Sequence, residues 1–165
     1  MREALHRFLI VFLLVSFPAA VFSQVAAPAK TDTGGAATSL RAVTTDQAPK
    51  AVGPYSQAVI AGGLLFASGQ LPIDPKTGDL VAGGIEQSAE RILDNLEAVL
   101  KAEGLSFADV VKTTVYLVKA DDFGAMNGVY ARRMGDSKPA RSSIIVAGLP
   151  KGAPLEIDLV ARMRR

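Results

Sequence analysis

The strongest constraint on the fold is a change of hydrophobic period partway along this 165-residue chain. Apolar side chains recur at helical spacing from Ile85 to Leu100, and Gly104 then supplies a left-handed cap. From Val111 to Leu117 apolar and polar side chains alternate, which is the period of a strand with one buried face. The chain therefore combines helix and sheet.

Shorter patterns place the other elements. Strands are predicted at 41–44, 57–61 and 64–68, and Gly62-Gly63 between the last two suits a hairpin. A second helix is capped by Asp121 or Asp122 and ends at Gly135. Strands at 141–146 and 155–163 close the chain. The order ββ(β)αβαββ predicts a single α+β domain, with a mixed β-sheet and two helices packed on one face.

The second face of that sheet is left uncovered. On the last strand it would present Glu156, Asp158, Val160 and Arg162, which is too apolar for a fully hydrated surface and too charged for a core. A homo-oligomer interface is one solution.

The N-terminal region is predicted to direct export. Residues 1–23 have the composition of a secretory signal, with Arg2 and Arg7 before an apolar core and cleavage after Ser23, or alternatively after Ala27. An uncleaved membrane anchor is the alternative. Residues 24–40 are predicted to be a flexible Ala/Thr/Gly/Pro linker, and 41–165 the folded domain. We expect a periplasmic or secreted protein with no stable membrane association after cleavage.

Missing residue types exclude several chemistries. The chain has no cysteine, and its one histidine, His6, lies in the predicted signal. Thiol nucleophiles, disulfides, zinc clusters and histidine-based triads are excluded for the processed chain. Acid and base roles therefore fall to Asp, Glu, Lys, Tyr or water. A net charge of +2 is too balanced for a polyanion-binding protein, so no nucleic-acid partner is expected.

Arg141 is the first candidate site residue. It lies in Pro139-Ala140-Arg141-Ser142-Ser143, directly before an apolar run that predicts a strand. A planar guanidinium on a stiff strand can hold a carboxylate through two parallel hydrogen bonds. This arrangement suggests a binding site for a small acid. A solvated arginine at a strand end is the simpler interpretation.

Several separated motifs extend the argument beyond Arg141. They are Ala48-Pro49-Lys50-Ala51-Val52-Gly53-Pro54-Tyr55-Ser56-Gln57-Ala58, Ala67-Ser68-Gly69-Gln70-Leu71-Pro72, Val111-Lys112-Thr113-Thr114-Val115-Tyr116-Leu117, Asn127, Pro139-Ala140-Arg141-Ser142, Leu149-Pro150-Lys151 and Leu155-Glu156-Ile157. In order and spacing this series resembles the RidA/YjgF family from about residue 41 onward. The resemblance implies a chorismate-mutase-like fold and a homotrimer with ligand sites between subunits. It also implies hydrolysis of reactive 2-imino and enamine acids, such as 2-aminoacrylate, to 2-keto acids and ammonia without a cofactor or metal.

The resemblance also implies roles for individual residues. Arg141 would clamp the substrate carboxylate, and Glu156 would orient or deprotonate the attacking water. The residues expected to bind the substrate are Tyr55, Ser68, Gly69, Asn127 and Ser143. Taken singly, these residues also fit a turn, a strand end, an exposed helix position and a surface acid.

Ser143 departs from the family pattern. Many members have cysteine at this position, which lies two residues after Arg141 and so on the same strand face. Serine keeps one hydrogen-bonding group but removes thiol reactivity. Imine hydrolysis needs no thiol, so the substitution leaves activity possible and puts the substrate preference in question.

The spacing of Arg141 and Glu156 bears on where the site lies. In a simple hairpin turning near Pro150-Lys151, the two residues would be four positions out of register, about 13 Å apart. Either the strands are not neighbours, or one site takes Arg141 and Glu156 from different chains. The second option predicts that dissociating the oligomer abolishes ligand binding.

Three functions follow from the sequence. The leading hypothesis is an exported imine/enamine deaminase, a cofactor-independent hydrolase of C–N bonds. The alternative is a non-catalytic, trimeric protein that binds small carboxylates or acts like a chaperone. A ribonuclease is the third, although the domain lacks histidine and a continuous basic groove.

Overall fold

A computed structural model describes residues 40–164. The predicted signal and residues 24–39 of the predicted linker lie outside this range. The described elements are the strands β1 (Arg41–Val43), β2 (Ala58–Ala61), β3 (Leu64–Gln70), β4 (Val110–Leu117), β5 (Ala140–Ile145) and β6 (Leu155–Arg162) and the helices α1 (Ile85–Lys101) and α2 (Phe123–Met134). Within residues 40–164, no helix combines the length and hydropathy needed to cross a bilayer.

The strands form one mixed sheet in the order β1-β2-β3-β6-β4-β5. All neighbours are antiparallel except β4 and β5, which run parallel. Gly62 and Gly63 adopt φ of 58° and 78° in the β2–β3 turn, as the hairpin prediction requires. The predicted mixed sheet and single α+β domain are therefore confirmed.

A hairpin of the last two strands, however, does not form. The strand β6 lies between β3 and β4, and β4 separates it from β5. Burial explains this order, since alternate residues of β6 are almost fully buried whereas all six residues of β5 are exposed. A strand with that exposure belongs at the sheet edge.

Both helices cover one face of the sheet, as the sequence predicts. The apolar stripe of α1, including Ile92, Leu96 and Leu100, is fully buried together with Leu155 and Ile157 of β6. Each fully buried aliphatic side chain contributes about 1.5–3 kcal/mol relative to an exposed one. This packed layer holds the central strands of the sheet in a fixed position.

Two local expectations need correction. Asp122 stands at the N-cap of α2, but its side chain makes no capping hydrogen bond, because a short 3-10 turn, Ala120–Asp122, leads directly into the helix. The register between β4 and β6 shifts between Val110 and Lys112, so Val110 is buried and Val111 is 45% exposed. A β-bulge of this kind interrupts the alternation that the sequence predicts.

The face opposite the helices carries large exposed apolar groups. Phe66 is 45% exposed and Ile144 is 44% exposed, and Val160 of β6 pairs with Phe66 across the sheet. In the single chain, this face therefore combines exposed apolar groups with charged ones, as the sequence predicts.

Candidate functional site

Arg141 lies against the aromatic side chains of α2. It is the second residue of the edge strand β5 and pairs with Thr113 of β4. Its guanidinium carbon is 4.6 Å from the centre of the Tyr130 ring and 5.8 Å from that of Phe123. The Tyr130 hydroxyl is 2.8 Å from the Thr113 hydroxyl. Arg141 therefore points to the helix side of the sheet.

Asn127 and Ser143 belong to the same region. Asn127 follows Phe123 by four residues and precedes Tyr130 by three, so the three side chains share one stripe of α2. Ser143 follows Arg141 by two residues on β5 and therefore lies on the same face. We call Arg141, Asn127 and Ser143 the arginine cluster.

The guanidinium of Arg141 is available to a ligand. It is exposed, and within residues 40–164 no carboxylate pairs with it, whereas Arg133 and Arg164 are both held in ion pairs. Cation–π contact engages the flat face of a guanidinium and leaves its in-plane N–H groups free. Those groups can donate two parallel hydrogen bonds to a carboxylate.

Glu156 lies on the other face of the sheet. Its neighbours along β6, Leu155 and Ile157, are buried under the helices, so Glu156 points away from them. A Cβ atom on Gly69 would lie only 1.9 Å from Glu156 Oε1. Gly69 sits where the β3–β6 register shifts between Ala67 and Gln70. The absence of a side chain at Gly69 lets the carboxylate lie against the backbone of β3.

Ser68 and Tyr55 adjoin this glutamate. The Ser68 hydroxyl donates to the Ser56 carbonyl at 2.7 Å, which ties β3 to the segment that contains Tyr55. Tyr55 is 53% exposed, and its hydroxyl accepts a hydrogen bond from the Val52 amide at 3.2 Å. We call Glu156, Gly69, Ser68 and Tyr55 the glutamate cluster. Because Ser68 already donates to Ser56, it can offer a ligand only an acceptor.

The environment of Glu156 raises the pKa of its carboxyl group. Burial is the larger cause, and the negative charge of Asp158 adds to it. Asp158 is held in place by the Tyr116 hydroxyl, which donates to its carboxylate at 3.0 Å. A carboxylate with a raised pKa is a stronger base than an ordinary glutamate, and a larger fraction of the group is protonated at any given pH.

The two clusters do not meet within one chain. Arg141 is in register with Thr113, and Glu156 with Tyr116, a separation of three residues along β4 or about 10 Å. Their side chains also point to opposite faces of the sheet. The hairpin would have put Arg141 and Glu156 four residues out of register. In the observed sheet they are three residues out of register, and β4 lies between their strands.

The sequence does not indicate the aromatic rings that contact Arg141. The helical period assigns Phe123 and Tyr130 to the apolar stripe of the second helix, without indicating that they contact an arginine. A signal was present in Thr113, a polar residue on the strand face shared with Val115 and Leu117. Such a residue requires a polar partner when buried, and Tyr130 supplies it.

No metal-binding group is evident in the described part of the chain. Within residues 40–164, no three acidic or histidine side chains lie close enough together to hold an ion. The chemistry of both clusters is that of a guanidinium, a carboxyl group, hydroxyls and an amide.

Comparison with known proteins places this arrangement in a family. The model of the Endoribonuclease L-PSP family matches residues 45–163. The chain belongs to this family. The resemblance to RidA/YjgF proteins is thereby confirmed at the level of the family, because the L-PSP relatives include proteins named RidA and imine deaminases.

Individual relatives match this chain over a similar length. A RutC family protein of Pyrococcus horikoshii is 50% identical over 119 residues, which are 72% of this chain and 94% of that protein. The human 2-iminobutanoate/2-iminopropanoate deaminase is 45% identical over 121 residues, covering 73% of this chain and 88% of the relative. The crystal structure of Escherichia coli TdcF with bound serine has a TM-score of 0.72 at 38% identity, over 75% of this chain and 99% of TdcF.

Proposed function

We propose that this protein hydrolyses 2-imino acids and their enamine tautomers, such as 2-aminoacrylate, to 2-keto acids and ammonia. One observation carries the proposal: Arg141 presents a guanidinium, which no carboxylate of residues 40–164 pairs with, on one face of the sheet, and Glu156 presents a half-buried carboxyl group of raised pKa on the other. These are the two groups that binding and hydrolysis of an imino acid require. Deaminase activity in relatives such as the human protein supports the same reaction class.

The reaction needs only Arg141, Glu156 and one water molecule. Arg141 holds the substrate carboxylate through two hydrogen bonds and so fixes the imine carbon. Glu156 accepts a proton as water adds to that carbon, and the C–N double bond becomes a single bond. Glu156 then returns the proton to nitrogen, which gives a carbinolamine. Transfer of the carbinolamine hydroxyl proton to nitrogen, again through Glu156, lets the C–N bond break, so that ammonia leaves as the carbonyl forms.

We further propose that the site forms between subunits of a homotrimer. Each chain holds Arg141 and Glu156 about three residues out of register and on opposite faces, so neither cluster alone completes a site. The exposed Phe66 and Ile144 provide apolar area for subunit contact on the face that bears Glu156. An arginine on an edge strand can extend across such a contact.

Release of keto acid from an imine generated in situ by an amino-acid oxidase tests the reaction. The wild type is expected to accelerate release, and Arg141→Ala to lose most of that acceleration. Equal acceleration by both proteins would contradict the assignment of Arg141. A panel of imino acids would define the substrate range, on which Ser143 bears directly.

A second candidate is a binding protein without chemistry. Arg141 and the rings of α2 form a carboxylate-binding surface that does not depend on Glu156. TdcF, a relative in this fold, was crystallised with serine, which is an amino acid rather than an imine. Tight binding of a 2-keto acid with no turnover of any imine would favour this function.

RNA cleavage is the activity in the name of the family model. The one histidine of the chain is His6, so residues 40–164 lack the usual acid–base pair of a ribonuclease. RNA cleavage by purified protein that disappears in a Glu156 or Arg141 variant would revive this function.

Export remains our proposal for the destination of the protein. It rests on the sequence of residues 1–23. N-terminal sequencing of the protein from fractionated cells is expected to begin at Gln24 in the exported fraction. An intact N-terminus in the cytosolic fraction would contradict export.

A further inference from the structure

Among residues 40–164, Arg141 is held by aromatic rings and not by a carboxylate. Its partner on β4, Thr113, is fully buried, and the Tyr130 ring beneath the guanidinium is 7% exposed. The guanidinium itself is on the surface, on an edge strand whose residues are all exposed. A long arginine side chain at such a position samples many rotamers unless something restrains it.

Tyr130 has the geometry to provide that restraint. Its ring centre is 4.6 Å from the guanidinium carbon, within the range of a cation–π contact. Its hydroxyl is locked to Thr113 at 2.8 Å, and Thr113 is the residue paired with Arg141 in the sheet. The three residues thus form a closed unit linking α2, β4 and β5.

We propose that Tyr130, anchored by Thr113, is a positioning residue for Arg141 in carboxylate binding. The inference rests on the proposed role of Arg141 and extends it. The ring occupies one flat side of the guanidinium and limits its rotation, while the in-plane N–H groups stay directed to the ligand. Preorganisation of this kind strengthens binding by reducing the entropy lost when the ligand is held.

The size of the effect follows from the contact. Loss of a cation–π contact together with the restraint it provides is expected to weaken carboxylate binding by about tenfold. Loss of the anchor alone, which leaves the ring in place, is expected to weaken it by about threefold.

The experiment measures the dissociation constant of 2-ketobutyrate by calorimetry, which needs no turnover. Tyr130→Leu is expected to bind about tenfold more weakly than wild type, and Tyr130→Phe and Thr113→Val about threefold more weakly. Phe107→Leu is the matched control, because it removes a ring of similar burial, 9% exposed, that is not one of the two rings in cation–π contact with Arg141. It is expected to bind as wild type does.

A double-mutant cycle separates positioning from general loss of structure. In the Arg141→Ala background, adding Tyr130→Leu is expected to change binding no further, since the group it positions is gone. Additive losses, wild-type binding by Tyr130→Leu, or no binding by the wild type would overturn the inference. If Tyr130→Leu does not fold, the same cycle with Tyr130→Phe decides.

Failure of the proposed reaction gives a different pattern. Binding that follows the expected cycle without any imine turnover would leave the positioning role intact and remove the deaminase assignment. Turnover that is unaffected by Tyr130→Leu, alongside unchanged 2-ketobutyrate binding, would remove the positioning role and leave the reaction in place.

Discussion

The arginine cluster and the glutamate cluster are constructed by different means. Arg141 is exposed and rests on the rings of α2, with no carboxylate partner among the described residues. Glu156 is half-buried against the backbone at Gly69, and both burial and Asp158 raise the pKa of its carboxyl group. The first environment suits capture of an anion and the second suits proton transfer. In the proposed reaction, binding and proton transfer are therefore assigned to opposite faces of one sheet.

The largest expected effect on turnover comes from a substitution in the glutamate cluster. Glu156→Gln keeps the shape of the side chain but cannot accept a proton, so we expect kcat to fall by about 100- to 10,000-fold. Binding of 2-ketobutyrate is expected to change little, because the arginine cluster is untouched. Steady-state kinetics and calorimetry on the same preparation test the separation. A parallel loss of binding would show that the two clusters are not distinct in role.

Substitutions in the arginine cluster should instead weaken ligand binding. Arg141→Ala is expected to weaken 2-ketobutyrate binding by about 30- to 100-fold, the loss of a bidentate charged contact. Arg141→Lys should recover only part of this, because an ammonium lacks the planar fork. Calorimetry on the two variants checks the order. Full recovery by lysine would mean that only the charge matters.

Gly69→Ala tests how Glu156 is held. The added methyl group would overlap Glu156 Oε1, and the flexible end of that side chain must move. We expect turnover to drop by about 10- to 100-fold, with thermal stability and 2-ketobutyrate binding nearly unchanged.

Gly148→Ala is the matched control for that variant. A Cβ at Gly148 meets nothing within 4 Å, so wild-type turnover is expected. Equal losses in the two alanine variants would indicate a general effect of glycine replacement, not displacement of Glu156.

The smallest expected effect is on pH dependence. Since Glu156 must be ionised to accept a proton and the pKa of its carboxyl group is raised, the rising limb of kcat/KM should lie above that of an ordinary glutamate. Asp158→Asn removes the nearby negative charge, lowers the pKa of Glu156 and should move the limb to lower pH. Glu86→Gln on α1, on the helix side of the sheet, should leave the profile in place. If Asp158→Asn leaves the rising limb of the pH profile where it is, the negative charge of Asp158 does not raise the pKa of Glu156.

The sequence predicts the elements better than their arrangement. Helical and strand periods locate α1 and β4 because burial of one face imposes a period on each element. The position of β6 between β3 and β4 cannot be recognised in the sequence. A strand with one buried face shows the same alternation of apolar and polar residues at the centre of a sheet as near its edge. The bulge at Val111 is equally hidden, because it depends on the partner strand.

The site shows the same limit. Motifs in the sequence indicate Arg141 and Glu156, but their placement on opposite faces of the sheet depends on the strand order. Tyr130 and Phe123 fit an apolar stripe equally well with or without an arginine above them. Contacts between distant segments decide these features, and a local pattern does not encode them.

Subunit complementation tests the central claim, that one site takes Arg141 and Glu156 from different chains. Arg141→Ala and Glu156→Gln are each expected to be nearly inactive as pure oligomers. Co-expressed in equal amounts, they should form mixed trimers in which about a quarter of the sites have both functional residues, restoring about a quarter of wild-type activity. Mixed trimers as inactive as either variant alone would contradict the account.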